Sequence, residues 1–152
     1  CRVGDPDAAV ARVRSIAEIM QKEAIDGAPL LDNAVYRDRL IALQAEVFAM
    51  KFNGMRLTTN AHEKKSSGMA GMIVKLQGCE LNHRLAELAI DVMGEYGILF
   101  EDSPFIRDKG MWQTAYMFDL GLIIGGGSAQ IQKNIISERG LDMPREPKVT
   151  KK

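Results

Sequence analysis

The stretch LIIGGGSAQIQKNIISERGLDMPRE, Leu122 to Glu146, sets three glycines directly before Ser128 and a run of helical spacing. A helix start offers unpaired N–H groups and the positive end of its dipole, and glycines let a ligand's oxygens come close to the backbone. The stretch lacks the lysine followed by Ser or Thr that completes a P-loop, so the glycines alone are a weak phosphate signal. Three roles stay open on these residues: a phosphate cradle, the floor of an active site, or a tight turn between docked helices.

Other chemistry is sparse. His62 sits beside a lysine pair and His83 lies in ELNHRLAEL, and neither has a second His or Cys at i+3 or i+4 to close a metal site. Cys1 and Cys79 make no disulfide framework and lack zinc spacing, which fits a reducing compartment and hence the cytoplasm. The nine methionines fall mostly at helical spacing, where they read as plastic core filler. Lys plus Arg and Asp plus Glu both total 20, so no net field draws the chain to nucleic acid or an anionic membrane. No apolar run approaches the ~20 residues needed to span a bilayer. The opening Cys-Arg-Val, with no Met, has the look of a start cut from something longer.

Helices must position whatever chemistry there is, and 152 residues suffice for about one domain. Asp5-Pro6-Asp7 reads as a helix start, with Val10, Val13, Ala17, Met20 and Ala24 on one face until Gly27-Ala28-Pro29. From Asp32 to about Asn60, Tyr36, Leu40, Leu43, Val47, Met50, Gly54 and Leu57 form a bundle seam. A second stripe there, Ile41, Phe48 and Met55, predicts a helix sandwiched between neighbours. HEKKSSG supplies serine caps to a third helix from about Ser67 to Met93, ended by Gly94-Glu95-Tyr96-Gly97. Pro104 is expected to open a fourth through Trp112, Tyr116 and Leu120, and Ser128 to cap a fifth carrying Ile131, Ile135 and Ile136. No period-two alternation persists, so the class is all-α, an up-and-down helical bundle. The organisation expected is a leading helix and linker over 1–30, the bundle over 31–145 and a disordered tail over 146–152.

The run GGGSAQIQKNIISERGLDMPR resembles the carboxy-terminal signature of the acyl-CoA dehydrogenases, in which Gly-Thr-Ser-Glu-Ile-Gln opens the last helix and Asn-Ile-Ile-Ala-Glu-Arg follows. Ser128 stands for the Thr and Gln130 for the Glu, while Ile131-Gln132, Asn134-Ile135-Ile136 and Glu138-Arg139 match outright. Upstream, ELNHRLAELAIDVMGEYGIL is similar to the family's penultimate long helix and the turn after it, so the resemblance runs from about Leu31 to Arg145. It implies the C-terminal helical domain of an FAD enzyme. In that reaction a base removes the α proton of an acyl-CoA thioester, the β hydride passes to the flavin, and an electron-transfer flavoprotein takes the electrons. Fatty acid or steroid side-chain metabolism is the implied setting. The resemblance also implies homo- or hetero-oligomer contacts and a share of the flavin, often a neighbouring subunit's. By that correspondence the flavin-facing residues are Asp91, Gly94, Glu95, Gly127, Ser128 and Gln130.

Two departures bear on function. Many members carry the catalytic glutamate immediately before the loop's Gly-Thr, and Gly126 occupies that position. No catalytic residue is therefore assigned within the chain: the base lies on an upstream helix or the chain is a non-catalytic partner or assembly subunit. An oxidase on the same scaffold is a third possibility. The second departure is that the family's Gln and Gly near the flavin pyrophosphate are here Asp91 and Glu95. Unit charges at about 4 Å repel by up to about 4 kcal/mol at an effective dielectric near 20, which points to weak or one-sided flavin binding.

Overall fold

A computed structural model of the chain describes residues 5–100, 102–145 and 147. Five helices carry the architecture: α1 (Pro6–Lys22), α2 (Ala34–His62), α3 (Gly68–Met93), α4 (Met111–Ile124) and α5 (Ala129–Gly140). The first four run alternately up and down. Lys51 at the far part of α2 pairs with Asp7 at the start of α1, while Arg39 and Arg84 tie the rest of α2 to α3 in antiparallel order. His83 and Tyr116 stack with ring centroids 4.5 Å apart where α3 and α4 pass. The expected tail over 146–152, apart from Pro147, and Cys1 lie outside the described residues.

α1 starts as its sequence dictates, with the Asp5 carboxylate accepting from the amides of Asp7 and Ala8 and Pro6 in the first turn. It ends earlier than expected, at Lys22. Asp26 and Gly27 take left-handed φ of 52° and 81°, folding Ala24–Ile25 onto Ala28–Pro29 as a two-residue hairpin. Ala24 is therefore exposed, and Ala9 and Ile16 join Val13 and Met20 in the core. α2 begins at Asn33, whose side chain accepts from the amides of Val35 and Tyr36. Its seam buries Leu40, Leu43, Val47 and Met50 against Leu81, Leu85, Leu88 and Val92 of α3 and the α1 face.

Four expectations are corrected. The second stripe of α2 is not sandwiched: Ile41, Phe48 and Met55 are exposed, because α1 and α3 take adjoining faces of α2 and nothing among the described residues covers the outer one. Ser67 occupies the cap position of α3 without a side-chain bond, and it is Ser66 Oγ that accepts from the Gly68 amide. Pro104 does not open a helix. Asp108, Lys109 and Gly110 all have positive φ, which no α-helix can run through, so α4 starts only at Met111. α5 starts at Ser128 as expected, with its side chain accepting from the Ile131 amide, though it buries none of its residues and Ile131 lies half exposed. The methionines divide too: Met20, Met50 and Met93 fill the core, whereas Met55, Met111, Met117 and Met143 face outward.

Candidate functional site

The glycine loop is an elbow held from two sides. On the α3 side, the ammonium of Lys75 donates to the carbonyl of Ile123, at 3.2 Å, and to that of Gly127. It thus closes the carbonyl end of α4, where a cation is favoured by the helix dipole, onto the last residue before the α5 cap. One turn on, the Cys79 thiol donates to the Leu122 carbonyl at 3.4 Å, and burial pushes that thiol's pKa up, away from nucleophilic use. On the α5 side, Gln132 Nε2 donates to the Gly126 carbonyl at 3.2 Å, and Ser128 Oγ accepts from the Ile131 amide at 3.4 Å.

Glycine is required by this geometry. Gly126 and Gly127 have φ of 69° and 106°, and a Cβ on Gly127 would stand 2.8 Å from Gln132 Nε2. A Cβ on Gly126 would meet nothing within 4 Å. The space beside Gly126 is therefore open among the described residues. Gln130 is exposed on the first turn of α5.

Asp91, Gly94 and Glu95 stand elsewhere. α3 is continuous from Gly68 to Met93, and Lys75 precedes Asp91 by more than four turns, about 24 Å along the axis. The loop and the α3 end are thus two clusters, not one. Gly94 ends α3 with φ 55° and ψ −127°, a conformation for glycine alone, and Gly97 lets the chain pass where a Cβ would stand 2.5 Å from the Ile90 carbonyl. Asp91 accepts from Arg39 Nη2 at 2.7 Å, so the charge that would repel a diphosphate has a cation beside it. Glu95 is exposed.

Ion pairs account for the acidic residues nearest the loop in sequence. Asp119, with its side chain only 3% exposed, is held by Arg12 Nη1 at 3.1 Å, and the same nitrogen donates to the Asn82 carbonyl. Glu138 pairs with Arg145 at 3.1 Å. Among the described residues no three of His, Cys, Asp and Glu gather to hold a metal ion, and none of the helices is long and apolar enough to cross a membrane. Sequence reasoning missed Lys75, Arg12 and Arg39. Only Lys75 carried a signal, as a lone charge between Val74 and Leu76 inside an apolar stretch.

Residues 7–141 match the acyl-CoA dehydrogenase C-terminal domain. The chain is 42% identical over 76 residues to acyl-CoA dehydrogenase IpdE1 of Mycobacterium tuberculosis, covering 50% of the chain and 19% of that protein. Against IpdE1 of Mycolicibacterium smegmatis the identity is 32% over 117 residues, covering 77% and 28%. Its fold is shared with the ChsE4-ChsE5 complex of Mycobacterium tuberculosis, at TM-score 0.81 and 24% identity over 94% of this chain and 36% of that one. It is shared also with the Tcur3481-Tcur3483 steroid ACAD, at TM-score 0.78 and 18% identity over 93% and 35%. The chain thus spans well under half the length of each of these proteins.

Proposed function

The chain belongs to the acyl-CoA dehydrogenase family, as its C-terminal helical domain, and we propose that it serves in a longer flavoprotein catalysing α,β-dehydrogenation of an acyl-CoA thioester. The observation that carries this is the glycine elbow clamped by Lys75 and Gln132, a rigid floor with open space at Gly126. The neighbour described as a steroid ACAD supports a steroid-derived acyl group over a simple fatty acid.

FAD fits the residues present on two counts. Close approach to backbone suits the loop, where Gly127 carries no Cβ and Ser128 opens α5. At the α3 end, Arg39 beside Asp91 offsets the carboxylate that stands in the family's Gln position. A flavin held by these residues would supply the acceptor for the β hydride, with an electron-transfer flavoprotein as the outlet for its electrons. The chain's own work is to hold. Gly127, Ser128 and Gln130 would meet a flavin at the loop, while Asp91, Gly94 and Glu95, at the other end of α3 from Lys75, would meet that of a neighbouring subunit. The proton at the α carbon is taken by a carboxylate outside the loop.

A second reading has its own support. Gly126 provides no base, and Asp119 and Glu138 are both engaged in ion pairs. A heteromeric pair in which this chain is the non-catalytic member fits those facts, and two named chains also make up each of the two structural neighbours. Purifying the longer protein alone and with a co-expressed homologous chain separates the readings. A flavin absorption band and acyl-CoA turnover in the protein alone support the first. Turnover only in the co-expressed pair supports the second, and a colourless, inactive protein in both settings sinks them together.

A further inference from the structure

We infer that Lys75 is a positioning residue: by holding the carbonyls of Ile123 and Gly127 on the α3 side, its ammonium aims the amides of the glycine elbow at the molecule bound there. This rests on the reading of the elbow as the floor of the flavin and thioester site. It goes further in giving a side chain on another helix control of the loop's donors.

The joint needs an outside hold. Three successive glycines from Gly125 to Gly127 have little conformational preference of their own, and α5 cannot set them by packing, since it buries none of its residues. Lys75 spans the joint. One of its acceptors, Ile123, lies in the last turn of α4, and the other, Gly127, directly precedes the Ser128 cap of α5. Each helix also has a closure of its own, α4 through the Gly125 amide on the Gly121 carbonyl at 2.8 Å and α5 through Ser128 Oγ. What the ammonium adds is the shape of the backbone between them.

That shape has a direction. The described peptide bonds are all trans, so each N–H points opposite to the carbonyl of its own peptide unit. Gln132 Nε2 takes the Gly126 carbonyl and Lys75 the Gly127 carbonyl, which turns the Gly127 and Ser128 amides away from the side chains that hold them. Neither amide has an acceptor among the described residues, and both residues are partly exposed. A cation on a carbonyl also polarises the N–H at the other end of the same peptide, so Lys75 makes the Ser128 amide the stronger donor. The match for such donors is an oxygen carrying negative charge, either the thioester oxygen as the α proton leaves or an oxygen of the flavin. Donors fixed in advance need no reorganisation during reaction, whereas misplacement by about 1 Å can cost about a hundredfold in rate.

The longer protein, with whatever partner chain its turnover requires, provides the test. Lys75→Met keeps the stem without the donors, and Lys75→Ala removes both. If the thioester oxygen is the acceptor, each variant is expected to lower kcat by about tenfold or more with KM held within about threefold. If the acceptor is on the flavin, the same variants lose bound flavin while turnover per flavin holds. In either case propylammonium added to Lys75→Ala is expected to restore much of the loss and propanol to restore none, because only a cation with several donors can bridge the two carbonyls. Lys65→Met removes the same charge from an exposed site and should change neither quantity. A lowered melting temperature with kcat and flavin content unchanged overturns the inference and leaves the reading of the site standing. So does rescue by both additives or by neither. A longer protein with no flavin and no turnover in any pairing sinks the reading of the site, and the role of Lys75 falls with it.

Discussion

Lys75 and Gly127, 52 positions apart in the chain, are joined by a single hydrogen bond from ammonium to carbonyl, and the glycine elbow hangs from it. Because the same ammonium also holds the Ile123 carbonyl, one side chain fixes both sides of the loop. Lys75→Met keeps the stem and removes the donors, and should cost about 1 to 2 kcal/mol, the range for a charged hydrogen bond with partial access to water. Thermal unfolding checks the magnitude. Hydrogen exchange checks the cause: amides of residues 125–132 should exchange faster while those of α2 do not.

Arg12 and Asp119 join α1 to α4 across the bundle. Breaking a buried pair leaves the other charge without compensation, which costs more than the pair itself is worth. Arg12→Ala should therefore destabilise by about 2 to 3 kcal/mol, since Arg12 retains some water while Asp119 has almost none. Arg12→Met combined with Asp119→Leu should recover much of that loss. Urea unfolding of the two singles and the double measures it, and an additive double would show that the two residues act separately.

How far the sequence carries the structure differs by level. Helix starts at Asp5 and Ser128 follow from local capping chemistry, and the seams of α2 and α3 from spacing, so the bundle is legible. The start of α4 is not, because Pro104 is a common signal and the positive φ of Asp108 and Lys109 is set by packing of the turn. Gly126 and Ser128 are legible through the family loop. The clamp is not, since Lys75 meets Gly127 only once α3 and α4 are laid antiparallel, and Asp91 is a repulsive charge until Arg39 arrives from α2. Exposure of the second α2 stripe is likewise a tertiary fact: spacing marks a face as apolar without saying what covers it.

Arg84 grips Glu46 through both carboxylate oxygens, Nη1 to Oε1 at 2.8 Å and Nη2 to Oε2. That hydrogen bond holds the Glu46 pKa below the ordinary glutamate range and raises that of Arg84. A carboxylate with a depressed folded-state pKa contributes stability above its unfolded pKa and loses it as pH falls through the folded one. The loss therefore falls on the acid side of the ordinary glutamate range, with no change near neutrality. Both groups are about two-fifths exposed, so the contribution is about 0.2 to 1 kcal/mol and shrinks with added salt. Glu46→Gln should lower stability at neutral pH by that amount and flatten the acid limb. An unchanged acid limb would mean another carboxylate governs it.

Gly126→Glu in the longer protein, with any partner chain, tests the loop directly. Sterically the site admits it, since a Cβ there meets nothing within 4 Å, but φ of 69° makes a non-glycine residue pay about 1 to 2 kcal/mol of backbone strain. A modest fall in melting temperature is thus expected, with the Lys75 clamp intact. The effect on turnover depends on where the base resides. With a carboxylate on an upstream helix, the added one should bring no gain and can crowd the thioester, and removing the upstream carboxylate should abolish turnover unless the Gly126→Glu side chain replaces it. In a heteromer whose second chain holds the only competent site, the substitution should raise turnover from this chain's side if flavin binds there, because general-base catalysis needs a carboxylate within hydrogen-bond reach of the α proton. A fully active parent with neither an upstream carboxylate nor a partner would place the base on a residue that none of these arrangements supplies.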